Sequence, residues 1–252
     1  MPLAAILTDL GEAAEHDTVN AKLVRWYWNG VFGELYGSAV ESRFARDFLE
    51  VPPWIQGTGG LPSTIQDATF SPDRLKTMRM RLSAAYKGVN ALLMNVGAID
   101  WRSGQKFNDI VFFDESVDIH HIFPKKWCED RNKPPEYDSI INKTPLSGRT
   151  NRIIGGVAPS IYLAKLQNGG AGTPPIASDK LDTYLVSHLI DPARLRSDNF
   201  EAFIAERQSQ LLGLIEHATG QTIRRESDAG ADADPETDDD TMEAELTMTA
   251  AE

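Results

Sequence analysis

One change of pattern constrains this chain more than any other feature. Through the first hundred residues, apolar side chains recur at three- and four-residue steps, the spacing of helices that bury one face. At 107–123 that period stops. Phe107, Ile110, Val111, Phe112, Phe113, Val117, Ile119, Ile122 and Phe123 are β-formers without helical spacing. The run closes on Asp118-Ile119-His120-His121-Ile122-Phe123-Pro124. A pure bundle cannot absorb such a segment, and an all-β fold cannot absorb its flanks. The expected class is α+β: a mainly α-helical domain carrying a small strand–strand–helix insert.

The flanks divide as follows. Residues 18–36 carry Leu23, Trp26, Tyr27, Val31 and Leu35 on one helical face, with Gly37 as a stop. Ser38 and Glu41 match a capping box for a helix bearing Val40, Phe44 and Phe48, which Pro52-Pro53 are expected to end. Residues 54–70 read as loop. Ser71-Pro72 open a long helix with Leu75, Met78, Leu82, Ala85, Tyr86, Val89, Leu93 and Val96 inward. Its other face holds Arg74, Lys76, Arg79, Arg81 and Lys87 and reads as solvated. After the insert's first strand come a polar loop at 124–140 and a short strand at 141–147. Ser147 caps a short helix with Arg149, Asn151 and Arg152, stopped by Gly155-Gly156. Helices follow from Pro159, near 179–189 and near 199–218, the last capped by Asp198 and Glu201. The expected units are a helical region at 1–106, the insert at 107–167, C-terminal helices at 168–225 packing on the helical region, and an acidic tail at 226–252.

The net charge of -12 misleads. Residues 226–252 hold eleven acids and no Lys or Arg, and 1–225 hold 26 acids against 25 bases. The acidity belongs to a tail expected to be disordered, serving solubility or screening a basic site. Between residues 118 and 165, eight bases (Lys125, Lys126, Arg131, Lys133, Lys143, Arg149, Arg152, Lys165) face five acids. That local excess suits a phosphate substrate. Cys128 stands alone, which excludes a disulfide framework and a multi-cysteine zinc site and suits a cytoplasmic setting. No apolar run could span a membrane and no secretory signal is visible.

His16, His188 and His217 stand singly on predicted helices and read as incidental. His120 and His121 differ. Strand alternation sends adjacent side chains to opposite faces, so one imidazole can bind a metal while its neighbour meets a substrate. The string continues with Asn142-Lys143 and Thr150-Asn151-Arg152. Together these residues resemble the HNH, or ββα-metal, nuclease finger. The longer wording resembles the C-terminal nuclease domain of the GmrSD-type restriction endonucleases, which include the phosphorothioation-sensing SspE proteins. It runs through Asn142-Lys143-Thr144-Pro145-Leu146-Ser147, Arg149-Thr150-Asn151-Arg152-Ile153-Ile154-Gly155-Gly156 and Ala158-Pro159-Ser160-Ile161-Tyr162-Leu163. The likeness takes in most of residues 1–215.

That resemblance implies a metal-dependent endonuclease that nicks or cleaves double-stranded DNA, the effector of a modification-dependent or modification-sensing anti-phage system. His121 would be the general base. His120 and Asn151 would hold one divalent ion: Mg²⁺ first, with Mn²⁺, Ni²⁺ or Zn²⁺ as alternatives, since histidine in place of the usual aspartate favours softer ions. Asn142 belongs to the catalytic set, more as a hydrogen-bonder than a ligand. Asp118 has three readings: a metal ligand, an orienter of a histidine, or a strand end. Lys126, Lys143, Arg149 and Arg152 are the expected phosphate contacts. The family's N-terminal nucleotide-hydrolysing sensor domain, with its Asp-Gly-Gln-Gln-Arg motif, is a partner without a counterpart in this sequence. A C-terminal fragment or a separately encoded nuclease subunit is therefore expected. The alternatives are a non-catalytic DNA-binding or scaffold module with a degenerate finger, and a structural metal site.

Overall fold

The computed structural model describes residues 2–107, 117–170 and 174–225. These residues are mostly helical and carry one two-stranded antiparallel sheet, an α+β architecture. The expected strand residues Ile110, Val111, Phe112 and Phe113, and the acidic tail, lie outside the described residues. No helix among the described residues is long and apolar enough to cross a membrane.

The first layer is α1 (Leu3–Leu10), α2 (Asp17–Phe32), α3 (Val40–Gln56) and α4 (Ser63–Asp67). Ile6, Leu10, Leu23, Trp26, Val51, Ile55 and Ile65 form its core. Within it the Asp47 carboxylate accepts from the Trp26 indole at 3.0 Å and from the Tyr36 and Thr64 hydroxyls, each at 2.6 Å. Three donors compensate for burying that charge. Two local expectations fail here. Ser38 does not cap α3; Ala39, in the left-handed conformation with φ 49, turns the chain into the helix instead. Pro52-Pro53 do not end the helix, which runs on to Gln56. Its end is secured from outside the prolines. Thr58 N–H bonds Pro53 O at 2.9 Å, and the Lys22 ammonium donates to the carbonyls of Trp54 and Ile55, both at 3.1 Å.

The predicted long helix at 71–96 is two helices, α5 (Pro72–Thr77) and α6 (Ala84–Asn95). Met78 leaves the helical region with ψ 97, and its carbonyl accepts Ile140 N–H at 2.9 Å. Ser83 then caps α6 by accepting Tyr86 N–H at 3.2 Å. Ser83→Ala is expected to lower stability by about 1 kcal/mol, read as a fall in thermal midpoint. No change would mean that the cap contributes nothing to the break. Gly88 lets α2 and α6 approach closely, since a Cβ there would lie 2.9 Å from a Val31 methyl.

The insert begins with β1 (Val117–His121), paired antiparallel to β2 (Lys143–Ser147) from Val117 opposite Ser147 to His121 opposite Lys143. Between the strands lie α7 (Lys125–Glu129) and two 3₁₀ turns, Pro135–Asp138 and Ile140–Asn142. The expected cap holds: Ser147 Oγ accepts Thr150 N–H at 3.2 Å and starts α8 (Gly148–Ile154). Gly155 stops it with φ 56, a conformation that costs glycine little. α9 (Pro159–Asn168) follows.

α10 (Ser178–Val186), α11 (Pro192–Arg196) and α12 (Phe200–Thr219) complete the described chain. Asn199 caps α12, not Asp198, whose carboxylate accepts from Ser160 N–H and Oγ at 2.9 and 2.7 Å. These helices do not pack on the helical region alone. Leu181, Leu185, Leu195, Phe200 and Phe203 join the insert's core around Ile122, Phe123, Tyr162 and Leu163. Leu211, Leu212 and Ile215 join Phe32, Tyr86, Val89 and Ile141. A 20-residue helix is about 30 Å long, enough to serve both cores.

Candidate functional site

β1 delivers the histidine pair to opposite faces of the two-stranded sheet. His121 sits across from Lys143, and His120 across from Thr144. On the His121 face, its Nε2 lies 3.0 Å from Asp138 Oδ1, and the Lys143 ammonium lies 2.8 Å from the same oxygen. Burial would raise the Asp138 pKa, but hydrogen bonds from Lys143 and His121 hold it below the usual carboxylate value. Asp138 is thus ionised at neutral pH and can only accept. His121 Nε2 therefore carries the proton, and Nδ1 keeps the lone pair. Burial also holds His121 below the ordinary histidine pKa, against the upward pull of Asp138. A neutral, oriented imidazole with a basic Nδ1 is what proton abstraction requires.

His120 shares its strand face with Asp118. Its Nε2 is buried and has no hydrogen-bond partner among the described residues. Burial lowers its pKa, with Asp118 pulling upward. Asp118 is tied elsewhere: Arg81 Nη1 lies 2.7 Å from its carboxylate, and Arg81 Nη2 donates to Ile119 O at 2.8 Å. Of its three readings, the strand-end ion pair has the clearest geometry. Asn151 stands on α8, which packs against β1. Its half-exposed side chain makes no hydrogen bond among the described residues. No group of three or more His, Cys, Asp or Glu that could hold a metal occurs among the described residues. The two expected ligands, His120 and Asn151, thus stand on β1 and on the helix packed against it, the first with an orphaned ring nitrogen.

Asn142 takes the hydrogen-bonder's part expected of it, and Lys143 has other work. Asn142 is fully buried. Its Oδ1 accepts Phe123 N–H at 2.8 Å, and its Nδ2 donates to the carbonyls of Phe123 and Tyr137 at 2.9 and 2.8 Å. It clamps the end of β1 to the approach to β2 and is saturated by backbone, so it touches no substrate. Lys143 is not a surface phosphate contact, because its side chain is 6% exposed and its ammonium is spent on Asp138. Lys126, Arg149 and Arg152 are exposed.

Four residues missed in the sequence hold this geometry. Asp138 orients His121. Asp100, fully buried, accepts Ser147 N–H at 2.9 Å and the Thr150 hydroxyl at 2.8 Å, fixing the start of α8. Burial opposes its ionisation, yet hydrogen bonds from Ser147, Ser103 and Thr150 keep its pKa below the ordinary value. His188, read as incidental, is fully buried between β2 and the loop before the insert. Its Nε2 must donate to Ile99 O at 2.7 Å, so its Nδ1 accepts from the Thr144 hydroxyl at 2.6 Å. Burial pushes its pKa down to about 3, which keeps this tautomer neutral. Arg207 on α12 donates to the carbonyls of Ile141 and Lys143, the residues flanking Asn142, at 2.7 and 3.1 Å. The sequence gives no local signal for any of the four.

The chain is similar to an uncharacterized protein of Methanocaldococcus jannaschii, 28% identical over 216 residues that take in 77% of this chain. The chain spans 36% of that protein's length. No family model matches the chain, and no solved structure does.

Proposed function

We propose that this chain is a metal-dependent endonuclease of the HNH type that nicks or cleaves double-stranded DNA, as the effector of a modification-dependent or modification-sensing anti-phage system. The observation that carries the reading is the His121–Asp138 pair, 3.0 Å apart, beside the unpartnered His120 nitrogen. In this reading His121 Nδ1 takes a proton from the attacking water. Asp138 fixes the tautomer and offsets the charge that develops on the ring. His120 and Asn151 would hold one divalent ion, Mg²⁺ or a softer relative. When bound, that ion supplies positive charge against the pentavalent phosphate and the leaving 3′-oxygen. Lys126, Arg149 and Arg152 would engage DNA phosphates, which give affinity without sequence preference. Specificity would come from a separate sensor domain of the same family, acting in the cytoplasm.

A second reading draws on the Asp118–Arg81 pair. A carboxylate already neutralised by an arginine is a poor metal ligand, which favours a non-catalytic DNA-binding or scaffold module with a degenerate finger. Supercoiled plasmid separates the two. The wild type is expected to nick it with Mg²⁺ or Mn²⁺ and to stop with chelator. His120→Ala should bind Mn²⁺ more weakly by calorimetry while keeping its melting temperature. DNA binding that falls steeply with salt, without any cutting under either metal, would establish the second reading instead.

A further inference from the structure

The two most exposed large apolar side chains among the described residues stand two residues apart beside the candidate site. Leu82 is 81% exposed and Met80 is 74% exposed. They project from the segment between α5 and α6, which is closed by Ser83 N–H to Met80 O at 3.2 Å. The segment is pinned to the insert at three further points. Met78 O accepts Ile140 N–H, Arg79 donates to Pro135 O at 3.1 Å, and Arg81 grips Asp118 and Ile119 O. A turn cross-linked in this way holds its apolar tips out in water. Single exposed apolar residues are ordinary; a paired, tethered set is not.

Its position names the occupant. Arg81 grips Asp118, two residues from His120 on the same strand face and about 7 Å away along the strand. The turn thus borders the edge of the sheet where the candidate metal donor lies. Its charge is positive: Arg79 contacts a carbonyl and no carboxylate among the described residues, and Lys87 on the first turn of α6 is exposed. Apolar Leu and Met tips beside the exposed Lys87 and the carboxylate-free charge of Arg79 match the way minor-groove proteins press wedges between base steps while nearby positive charge favours the backbone.

We propose that the Met80–Ser83 turn is a DNA wedge: Met80 and Leu82 enter the minor groove of duplex DNA next to the candidate nuclease site and bend the duplex across it. This rests on the endonuclease reading. The side-chain pattern, apolar at 80 and 82 and basic at 79 and 81, divides the labour. The arginines fasten the turn to the insert, and the apolar pair meets the bases.

The test uses the full chain, with chelator present, and an end-labelled duplex of about 30 base pairs whose energy transfer reports bending. Wild type is expected to bind and raise the transfer. The Met80→Ala/Leu82→Ala double variant is expected to bind about tenfold or more weakly and to leave the duplex straight. Its melting temperature should be unchanged, because both side chains are exposed. Met80→Phe, which keeps a bulky apolar tip, should retain bending. Equal binding and bending by wild type and double variant would overturn the wedge while leaving the nuclease reading intact. A wild type that cuts plasmid but never bends the duplex would do the same. If wild type neither binds nor cuts any DNA, the nuclease reading fails and the wedge falls with it. A dimeric wild type with a monomeric double variant would reassign the pair to self-association.

Discussion

His121→Ala is expected to nick plasmid DNA about 10²–10⁴-fold more slowly than wild type, with the same fold and the same metal affinity. The size follows from what is removed. Water is a poor nucleophile at neutral pH, and His121 Nδ1 is the one basic atom that the hydrogen-bonding pattern leaves free on that imidazole. The fold should survive because Asp138 keeps its 2.8 Å contact to Lys143 when the imidazole is gone. Asp138→Asn refines the test. An amide can present its NH₂ to Nε2 and favour the wrong tautomer, so a fall in kcat of about tenfold or more is expected with KM little changed. Asp138→Glu, which restores a charged acceptor, should recover part of the loss. A wild-type rate in His121→Ala would remove the base assignment. A KM effect alone in Asp138→Asn would make Asp138 a binding residue.

The elements of the insert were legible wherever one short stretch of sequence decides them. Ser147 caps α8 with its own hydroxyl, Gly155 stops it with a positive φ, and the histidine pair falls on the expected strand, whereas Asn142, expected within a strand at 141–147, ends the 3₁₀ turn before it. What escaped depends on distant partners. Met78 to Ser83 continues the helical spacing of its neighbours, yet the Met78 carbonyl is claimed by Ile140, 62 positions away. Periodicity cannot register that competition. The same holds for the residues that brace the site. His188 looks like any solitary helical histidine, and only its 2.6 Å contact to Thr144 reveals it as the brace of β2. Arg207 sits on the buried stripe of α12, where the pattern predicts an apolar residue. Its Nη1 donates to the Ile141 and Lys143 carbonyls, which offsets part of the cost of burying its charge. Burial lowers its pKa to about 9, which still leaves it protonated at neutral pH. Lys143 misled for a related reason: a lysine in a basic stretch reads as surface, while its partner Asp138 lies on a 3₁₀ turn five residues earlier.

Asp100→Ala is expected to cost about 4 kcal/mol of stability. The carboxylate accepts from three backbone N–H groups, of Arg102, Ser103 and Ser147, and from the hydroxyls of Ser103 and Thr150. Hydrogen bonds to a charged group contribute about 1.5–3 kcal/mol each, and buried donors left unpaired add a further penalty. Part of the loss is recovered by local rearrangement, because the Thr150 hydroxyl can turn to Ser147 Oγ, 3.1 Å away. Such a loss corresponds to a fall in thermal midpoint of about 8–16 °C. Asp100→Asn keeps the shape but turns an NH₂ group toward donors and should fall in between. The dependence on pH has a definite sign. The folded pKa of Asp100 is depressed, so its contribution is complete above the unfolded value of about 3.9. It is lost as pH falls below that value through the folded pKa. The gap between wild type and Asp100→Ala should therefore be constant from neutral pH to about 5 and should narrow in more acidic buffer. A midpoint for Asp100→Ala within about 2 °C of wild type at pH 7 would mean that the start of α8, and with it Asn151, is held by Ser147 and Thr150 without the carboxylate.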